Sequence, residues 1–170
     1  MTTPPPAAGN LPLPRWAYVP GESEKSSADY ETLAQITALV PPRFGGYVPA
    51  RHSALRYGLT LNDRGYFWEA QEILEAVWAA APQGGRERIL LRACILIATA
   101  NLRLRMQKSH VAARLLGEAL GELEALRNAG GEGFADWFPV AALAALVKAK
   151  PERPQLAKTD CVAFAVAGRT

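Results

Sequence analysis

The apolar residues between positions 50 and 150 recur at the spacing of a helix, without the strict alternation that marks a half-buried strand. The strongest pattern is GYFWEAQEILEAVW, residues 65 to 78. At about 100° per residue its apolar side chains fill one continuous arc, which predicts a helix over residues 66–81 with one buried face. The arc consists of Phe67, Ala70, Ile73, Leu74, Val77, Trp78 and Ala81.

The polar residues of this stretch are spread around the predicted helix. Gln71 falls at the edge of the apolar arc beside Trp78, and Glu75 lies one step further out. Glu69 and Glu72 are expected on the side opposite the core. The glutamates therefore do not form one cluster on one helical face.

The same periodicity, together with Gly, Pro and capping residues at its boundaries, predicts the other helices. They cover residues 28–39, residues 53–65 with a break near 62–65, and residues 86–106, 110–128 and 134–150. Ser109 suits the N-cap of the helix that follows it, and Pro139 suits the first turn of the last helix. We predict an all-α fold, a compact single-domain bundle of about four to six helices.

The ends of the chain differ in composition from its middle. Residues 1–26 hold six of the thirteen prolines, which predicts an extended arm, with Trp16 and Tyr18 lying against the body. Residues 27–150 form the predicted helical domain. Residues 151–170 form a tail in which the apolar run CVAFAVAG has no predicted place.

The helix predicted over residues 86–106 is apolar nearly all round, as a helix covered by several neighbours would be. A narrow stripe of Arg88, Arg92, Thr99 and Arg103 interrupts it. Because an unpaired buried charge costs several kcal/mol, each arginine needs a partner. We expect Arg92 or Arg103 to hydrogen bond to a glutamate of the preceding helix, and the candidate polar cluster is Gln71, Glu72, Glu75, Arg92 and Arg103.

Composition and charge exclude several classes of protein. A chain of 170 residues is about one domain, and its +3 net charge comes from dispersed arginines, so nucleic-acid binding is not expected. No stretch is long and apolar enough for a membrane span, and the N-terminus lacks the pattern of a signal peptide, which predicts a cytoplasmic protein. Cys94 lies in an apolar run and is expected to pack in the core, and no Cys/His cluster suggests a zinc site.

NDRGYFWEAQEILEAVW, residues 62 to 78, followed by an apolar helix and AARLLGEALGEL, resembles the small helical family called domain of unknown function 309. The resemblance covers about residues 14 to 125, and it implies a compact helical domain without an established biochemical role. Some members of the family carry the label of metal-dependent hydrolases. The family motif reads Trp-Glu-Ala-His-Glu, and its histidine is Gln71 in this chain.

Other departures follow along the chain. The resemblance leads us to expect Gln, Gly and Gln where Arg92, Ala93 and Leu96 stand, a second histidine at Arg103, and Gly-Asn at Gln107 and Lys108. A histidine one turn from a glutamate could ligate zinc or iron, whereas a neutral amide is a poor ligand. We therefore predict no metal and no cofactor in this chain.

The acidic and aromatic residues of the motif have two interpretations. The glutamates either pair with arginines of a neighbouring helix or carry acid–base chemistry, and the missing histidine favours pairing. Phe67, Trp68 and Trp78 fit a core or an interface better than a ligand-stacking site. His52, His110 and Cys161 lack any neighbouring motif that would indicate catalysis.

The preferred hypothesis is a non-enzymatic helical domain with a structural or protein-interaction role, whose partner would be a second copy or another protein. The first alternative is a hydrolase-like enzyme using Glu72 and Glu75 in a pocket between helices. The second is nucleic-acid binding through Arg92 and Arg103, which requires those side chains to be exposed.

Overall fold

A computed structural model describes residues 11–126, 133–150 and 160–164 of the chain. These residues contain helices and no strand, which confirms the all-α prediction. Six helices have nine or more residues and a seventh has four. Their bounds are α1 Ser27–Thr37, α2 Ser53–Asp63, α3 Phe67–Ala80, α4 Arg86–Arg105, α5 Ser109–Ala125, α6 Phe134–Trp137 and α7 Val140–Lys148.

Helix α4 is the centre of the bundle. It packs against α3 on one side and α5 on the other, while α2 packs on α3 and α7 on α5. Its apolar residues face neighbours in several directions, which explains why its sequence is apolar nearly all round. The α4 side chains with no exposed surface include Leu90, Leu91, Ala93, Cys94, Ile97, Ala98 and Ala100.

The contact of α2 with α3 depends on a glycine. A Cβ atom at Gly58 would lie 2.8 Å from Cδ2 of Leu74, closer than packed carbon atoms approach. Gly58 therefore lets the two helices come together over a fully buried Leu74. A side chain at this position would have to displace the buried Leu74 side chain or separate α2 from α3.

Helix boundaries follow local hydrogen bonding, with two differences from prediction. Ser26 caps α1 by accepting a bond from the backbone N–H of Asp29, and His52 caps α2 through Nδ1 and the N–H of Ala54. Ser109, predicted as an N-cap, is instead the first residue of α5. The helix predicted over 134–150 is divided at Pro139, which is the residue before α7.

Of the apolar tail run that lacked a predicted place, residues 161–164 pack against the bundle, and residues 165–168 lie outside the described residues. Val162 and Phe164 are 3% and 2% exposed. The side chain of Asn101 on α4 accepts from the N–H of Val162 at 2.8 Å and donates to the carbonyl oxygen of Val162 at 2.9 Å. Asn62 on α2 donates to the same carbonyl oxygen and accepts from Asn101.

This set of bonds satisfies two buried asparagines and fixes the tail across α2 and α4. The backbone N–H of Phe164 also donates to Asp63 Oδ1, which adds a second point of attachment.

Among the described residues, no helix has both the length and the apolar character that a membrane span requires.

We expect Asn101→Ala to lower the free energy of unfolding by about 3 kcal/mol, because it leaves the backbone N–H of Val162 and Oδ1 of Asn62 without partners, while the carbonyl oxygen of Val162 keeps only the bond from Asn62. Chemical denaturation measures the change. Glu118→Ala, on an exposed part of α5, is the control and should stay within about 0.5 kcal/mol of the wild type. A loss from Asn101→Ala no larger than that of the control would contradict a structural role for the tail.

Candidate functional site

Helix α3 carries most of the motif of residues 65–78, and its side chains lie in three different environments. Its apolar arc, including Ile73, Leu74 and Val77, is buried in the core. Phe67 belongs to a smaller cluster with Val19 and Leu102. Trp68 and Trp78, predicted as core rings, are half-buried and pack at opposite ends of the helix. The two tryptophans therefore mark two separate surfaces.

Glu69 is placed differently from the prediction, which put it on the side away from the core. It is 3% exposed because residues 12–25, here named the N-terminal strap, cover that side of α3. The backbone N–H of Tyr18 donates to Glu69 Oε2 at 2.9 Å. Oε1 is buried without a hydrogen-bond partner among the described residues. Burial raises the pKa of Glu69, while the bond from Tyr18 opposes that rise.

Aromatic and cationic contacts hold the same strap. The rings of Tyr18 and Trp68 meet edge to face with centroids 5.1 Å apart. Lys25 Nζ lies 4.6 Å from the Trp68 ring and 5.1 Å from the Tyr18 ring. Tyr18 thus lies against the body as expected, whereas Trp16 is 46% exposed and donates its indole N–H to the backbone carbonyl oxygen of Glu24 in the strap.

The other glutamates of the motif lie on the outer surface. Gln71 Nε2 donates to Glu75 Oε1 at 3.2 Å, one turn along the helix. Glu72 and Glu75 are both exposed. Partial burial raises the pKa of Glu72, and the charge of Glu75 adds to the rise while Lys25 opposes it. Glu69 thus differs from Glu72 and Glu75 in being buried beneath the strap, while the other two are exposed.

The predicted bond from Arg92 or Arg103 to Glu72 or Glu75 was wrong. Arg92 Nε pairs instead with Glu122 on α5, at 3.3 Å. Arg103 is half-buried and donates to the sulfur of Met106 at 3.7 Å. The side chain of Arg92 thus pairs with α5 rather than with α3. The sequences of α3 and α4 alone do not determine which neighbouring helix it contacts.

Arg88 is the α4 arginine that contacts α3. Its guanidinium lies 4.2 Å from the centroid of the Trp78 ring. It also donates to the carbonyl oxygens of Trp78 and Ala81, at the C-terminal end of α3. These bonds satisfy backbone carbonyls that a helix end leaves unpaired, and a cation is favoured there by the helix dipole. Arg88 thereby fixes the indole of Trp78.

Trp78 forms part of a shallow depression of about 360 Å³ between α3 and α4, named here the α3–α4 groove. Its apolar floor comes from Trp78, Ala79, Ile95 and Leu96, and its two charged residues are Glu75 on α3 and Arg92 on α4. Of the five residues predicted as a polar cluster, only Glu75 and Arg92 line this groove. Gln71 reaches it indirectly, through Glu75.

A second pocket of about 550 Å³ lies between α5 and α7. Its apolar lining includes Leu120, Leu123 and Phe138, and its charged lining residues are Arg86, Glu124 and Lys148. This pocket was not predicted from the sequence. The amphipathic pattern of α5, with Leu120 half-buried beside buried Leu123, was the available signal.

The histidines and cysteines considered for catalysis lie at helix ends or are buried to different degrees. His52 serves as a helix cap, and His110 is exposed at the start of α5. Cys94 is fully buried and Cys161 half-buried, and burial raises the pKa of both thiols, which disfavours the reactive thiolate. No group of three or more metal-ligating His, Cys, Asp or Glu side chains occurs within residues 11–126, 133–150 and 160–164.

Comparison with known proteins gives one match. Residues 55–115 match the family model described as Domain of unknown function (DUF309). The matched region runs from α2 through α3 and α4 into α5. No curated protein and no solved structure matches the chain.

The raised pKa of Glu69 predicts how stability depends on pH. The ordinary pKa of a glutamate is 4.5, and the pKa of Glu69 in the folded protein is higher. The contribution of Glu69 to folding stability is therefore fully present below pH 4.5 and is lost as the pH rises through the folded-state pKa. We expect Glu69→Gln, whose side chain stays neutral, to match the wild type in unfolding free energy at about pH 3.5 and to exceed it at about pH 8. Urea denaturation at both pH values measures this. A variant less stable than the wild type at the higher pH would contradict it.

Proposed function

We propose that this chain, whose residues 55–115 match the DUF309 family model, is a non-catalytic helical domain that associates with a second copy of itself through the α3–α4 groove. The observation that carries the proposal is the groove itself. It combines a partly exposed apolar floor with one acidic residue on α3 and one basic residue on α4.

The distribution of charge favours a second copy as the occupant. In a two-fold dimer each surface patch meets the same patch of its partner, so every contact occurs twice. A two-fold axis through the groove would place Glu75 of one copy opposite Arg92 of the other. Both cross-subunit pairs would then be of opposite charge, on either side of an apolar centre.

The residue types in the groove also suit an interface. Tryptophan and arginine are enriched among the residues that contribute most to binding between proteins. Trp78 is held in place by the guanidinium of Arg88, so little side-chain freedom would be lost on association. Because a stable dimer buries roughly 1,200–2,000 Å² in total, the exposed parts of α3 and α4 beside the groove would have to join it.

The enzymatic alternative has one observation in its favour, the raised pKa of Glu72. An acid–base pair also needs a nucleophile or a second titrating group within hydrogen-bond reach. The hydrogen bonds of the described residues link Glu75 to an amide, and they join neither Glu72 nor Glu75 to a His, Cys or Ser. Nucleic-acid binding through Arg92 and Arg103 requires both to be exposed, and only Arg92 is, since Arg103 is half-buried; the two arginines therefore do not form the basic face that binds a phosphate backbone.

Charge reversal tests the proposed dimer. We expect Glu75→Arg alone and Arg92→Glu alone each to weaken self-association by at least about tenfold, because each places like charges across both symmetric contacts. Mixing the two variants should restore association, since every cross-subunit pair in the mixed dimer is again of opposite charge. Sedimentation equilibrium over a concentration series measures the dissociation constants.

Glu118→Arg is the matched control, since it reverses an exposed glutamate on α5, outside the groove. It should associate as the wild type does. A wild-type chain that stays monomeric throughout the series would overturn the proposal. So would single variants that dimerise normally, or a mixture no stronger than its components.

A further inference from the structure

The tail of the chain occupies a site built mainly by α2 and α4. Asn62 and Asn101 bond to the backbone of Val162, and Asp63 bonds to the backbone N–H of Phe164. In all four bonds the helical partner is a side chain and the tail partner is a backbone group. The receiving residues, named here the tail site, are Asn62, Asp63, Asn101 and Phe138.

This arrangement is the one by which proteins bind a segment of another chain. Bonds to the main chain of a peptide give affinity, and contacts with alternate side chains give specificity. The tail alternates in this way, since Val162 and Phe164 are buried while Cys161 and Ala163 are half-buried. The ring of Phe164 meets that of Phe138 at 66°, with centroids 6.5 Å apart. The tail site therefore suits an apolar segment with a Val-x-Phe pattern.

The receiving groups are held by the bundle itself. Asn101 Nδ2 donates to Asn62 Oδ1 at 2.8 Å, so the two amides orient each other. A site whose polar groups are already oriented loses little side-chain freedom when a ligand binds. Residues 55–115, which match the family model, include both asparagines but not the tail. The site thus belongs to the matched domain, whereas its occupant is a separate segment of the chain.

A second copy of the chain carries the same segment. Nine residues, 151 to 159, link Lys150 to the tail segment that begins at Asp160. A ligand linked covalently to its site competes at an effective concentration of roughly millimolar, so the chain's own tail excludes a free one at micromolar concentration. Exchange of identical segments between copies preserves every contact, which makes it a route to association of low energetic cost.

We propose that the tail site is a peptide-binding site for an apolar Val-x-Phe segment, and that the tail of a second copy binds there in exchange for the chain's own. The incoming segment makes the same bonds to Asn62, Asp63 and Asn101. This proposal is independent of the self-association through the α3–α4 groove, which uses other residues.

A fluorescently labelled peptide of residues 158–168, kept reduced, tests the site in the full-length chain. We expect Phe164→Ala, whose own tail has lost its buried ring, to bind the peptide at least about tenfold more tightly than the wild type does, because the linked tail of the wild type occupies the site. Fluorescence anisotropy measures the dissociation constants. Leu116→Ala removes a buried side chain of α5 but leaves the tail unchanged, so it should bind no better than the wild type.

Two altered peptides separate recognition at the site from general apolar adhesion. A peptide N-methylated at Val162 has no N–H to donate to Asn101, and a peptide with Phe164→Asp has no apolar ring to bury. Each should bind the Phe164→Ala chain at least about tenfold more weakly than the unaltered peptide. Far-UV circular dichroism monitors folding, and if Phe164→Ala is unfolded alone, saturating peptide should restore its helical signal.

Exchange between copies is tested by displacement of the bound peptide. The full-length Asn101→Ala chain keeps an intact tail but has lost part of its own tail site, so it should displace the peptide from Phe164→Ala. Asn101→Ala combined with Phe164→Asp should not.

Equal affinity of Phe164→Ala and the wild type for the peptide would overturn the proposal, as would a gain shared by Leu116→Ala or equal binding of the altered peptides. An unfolded Phe164→Ala chain that the peptide does not restore, or a failure of Asn101→Ala to displace the peptide, would also contradict it.

Discussion

The hydrogen bond from the Tyr18 backbone to Glu69 explains most of what is unusual about the motif helix. A buried carboxylate costs several kcal/mol unless its environment compensates, and here one of its two oxygens has a partner. The contacts that accompany the bond, Tyr18 on Trp68 and Lys25 over both rings, belong to the same strap. The acidic and aromatic residues at the start of α3 thus attach the N-terminal strap to the bundle.

A related arrangement attaches the tail to α2 and α4. Asn62 and Asn101 are polar residues within apolar helices, and both bind the backbone of Val162. A buried polar side chain that must find a partner fixes the position of a chain segment more strictly than apolar contact does. The strap and the tail are both irregular segments, and each is positioned by polar side chains of the helices beneath it.

The helices and the buried face of α3 could be predicted because both follow from periodicity within one segment. The partners that side chains find in distant segments of the chain could not be predicted in this way. Glu69 was expected to face away from the core, since a helical wheel contains no information about the strap that covers it. Arg92 was expected to pair with α3, but its guanidinium pairs with the half-buried carboxylate of Glu122 on α5. Asn62 and Asn101 gave a usable signal, as polar residues inside apolar runs.

The central claim is that Glu69 is a structural residue holding the strap. The exchange rate of the Tyr18 amide hydrogen, measured by NMR in the native protein, tests it most directly. The Tyr18–Glu69 bond predicts an amide protected well above its intrinsic rate in the wild type, with protection reduced in Glu69→Ala. A Tyr18 amide that exchanges at the unprotected rate in the wild type, or equally slowly in both proteins, would contradict the claim.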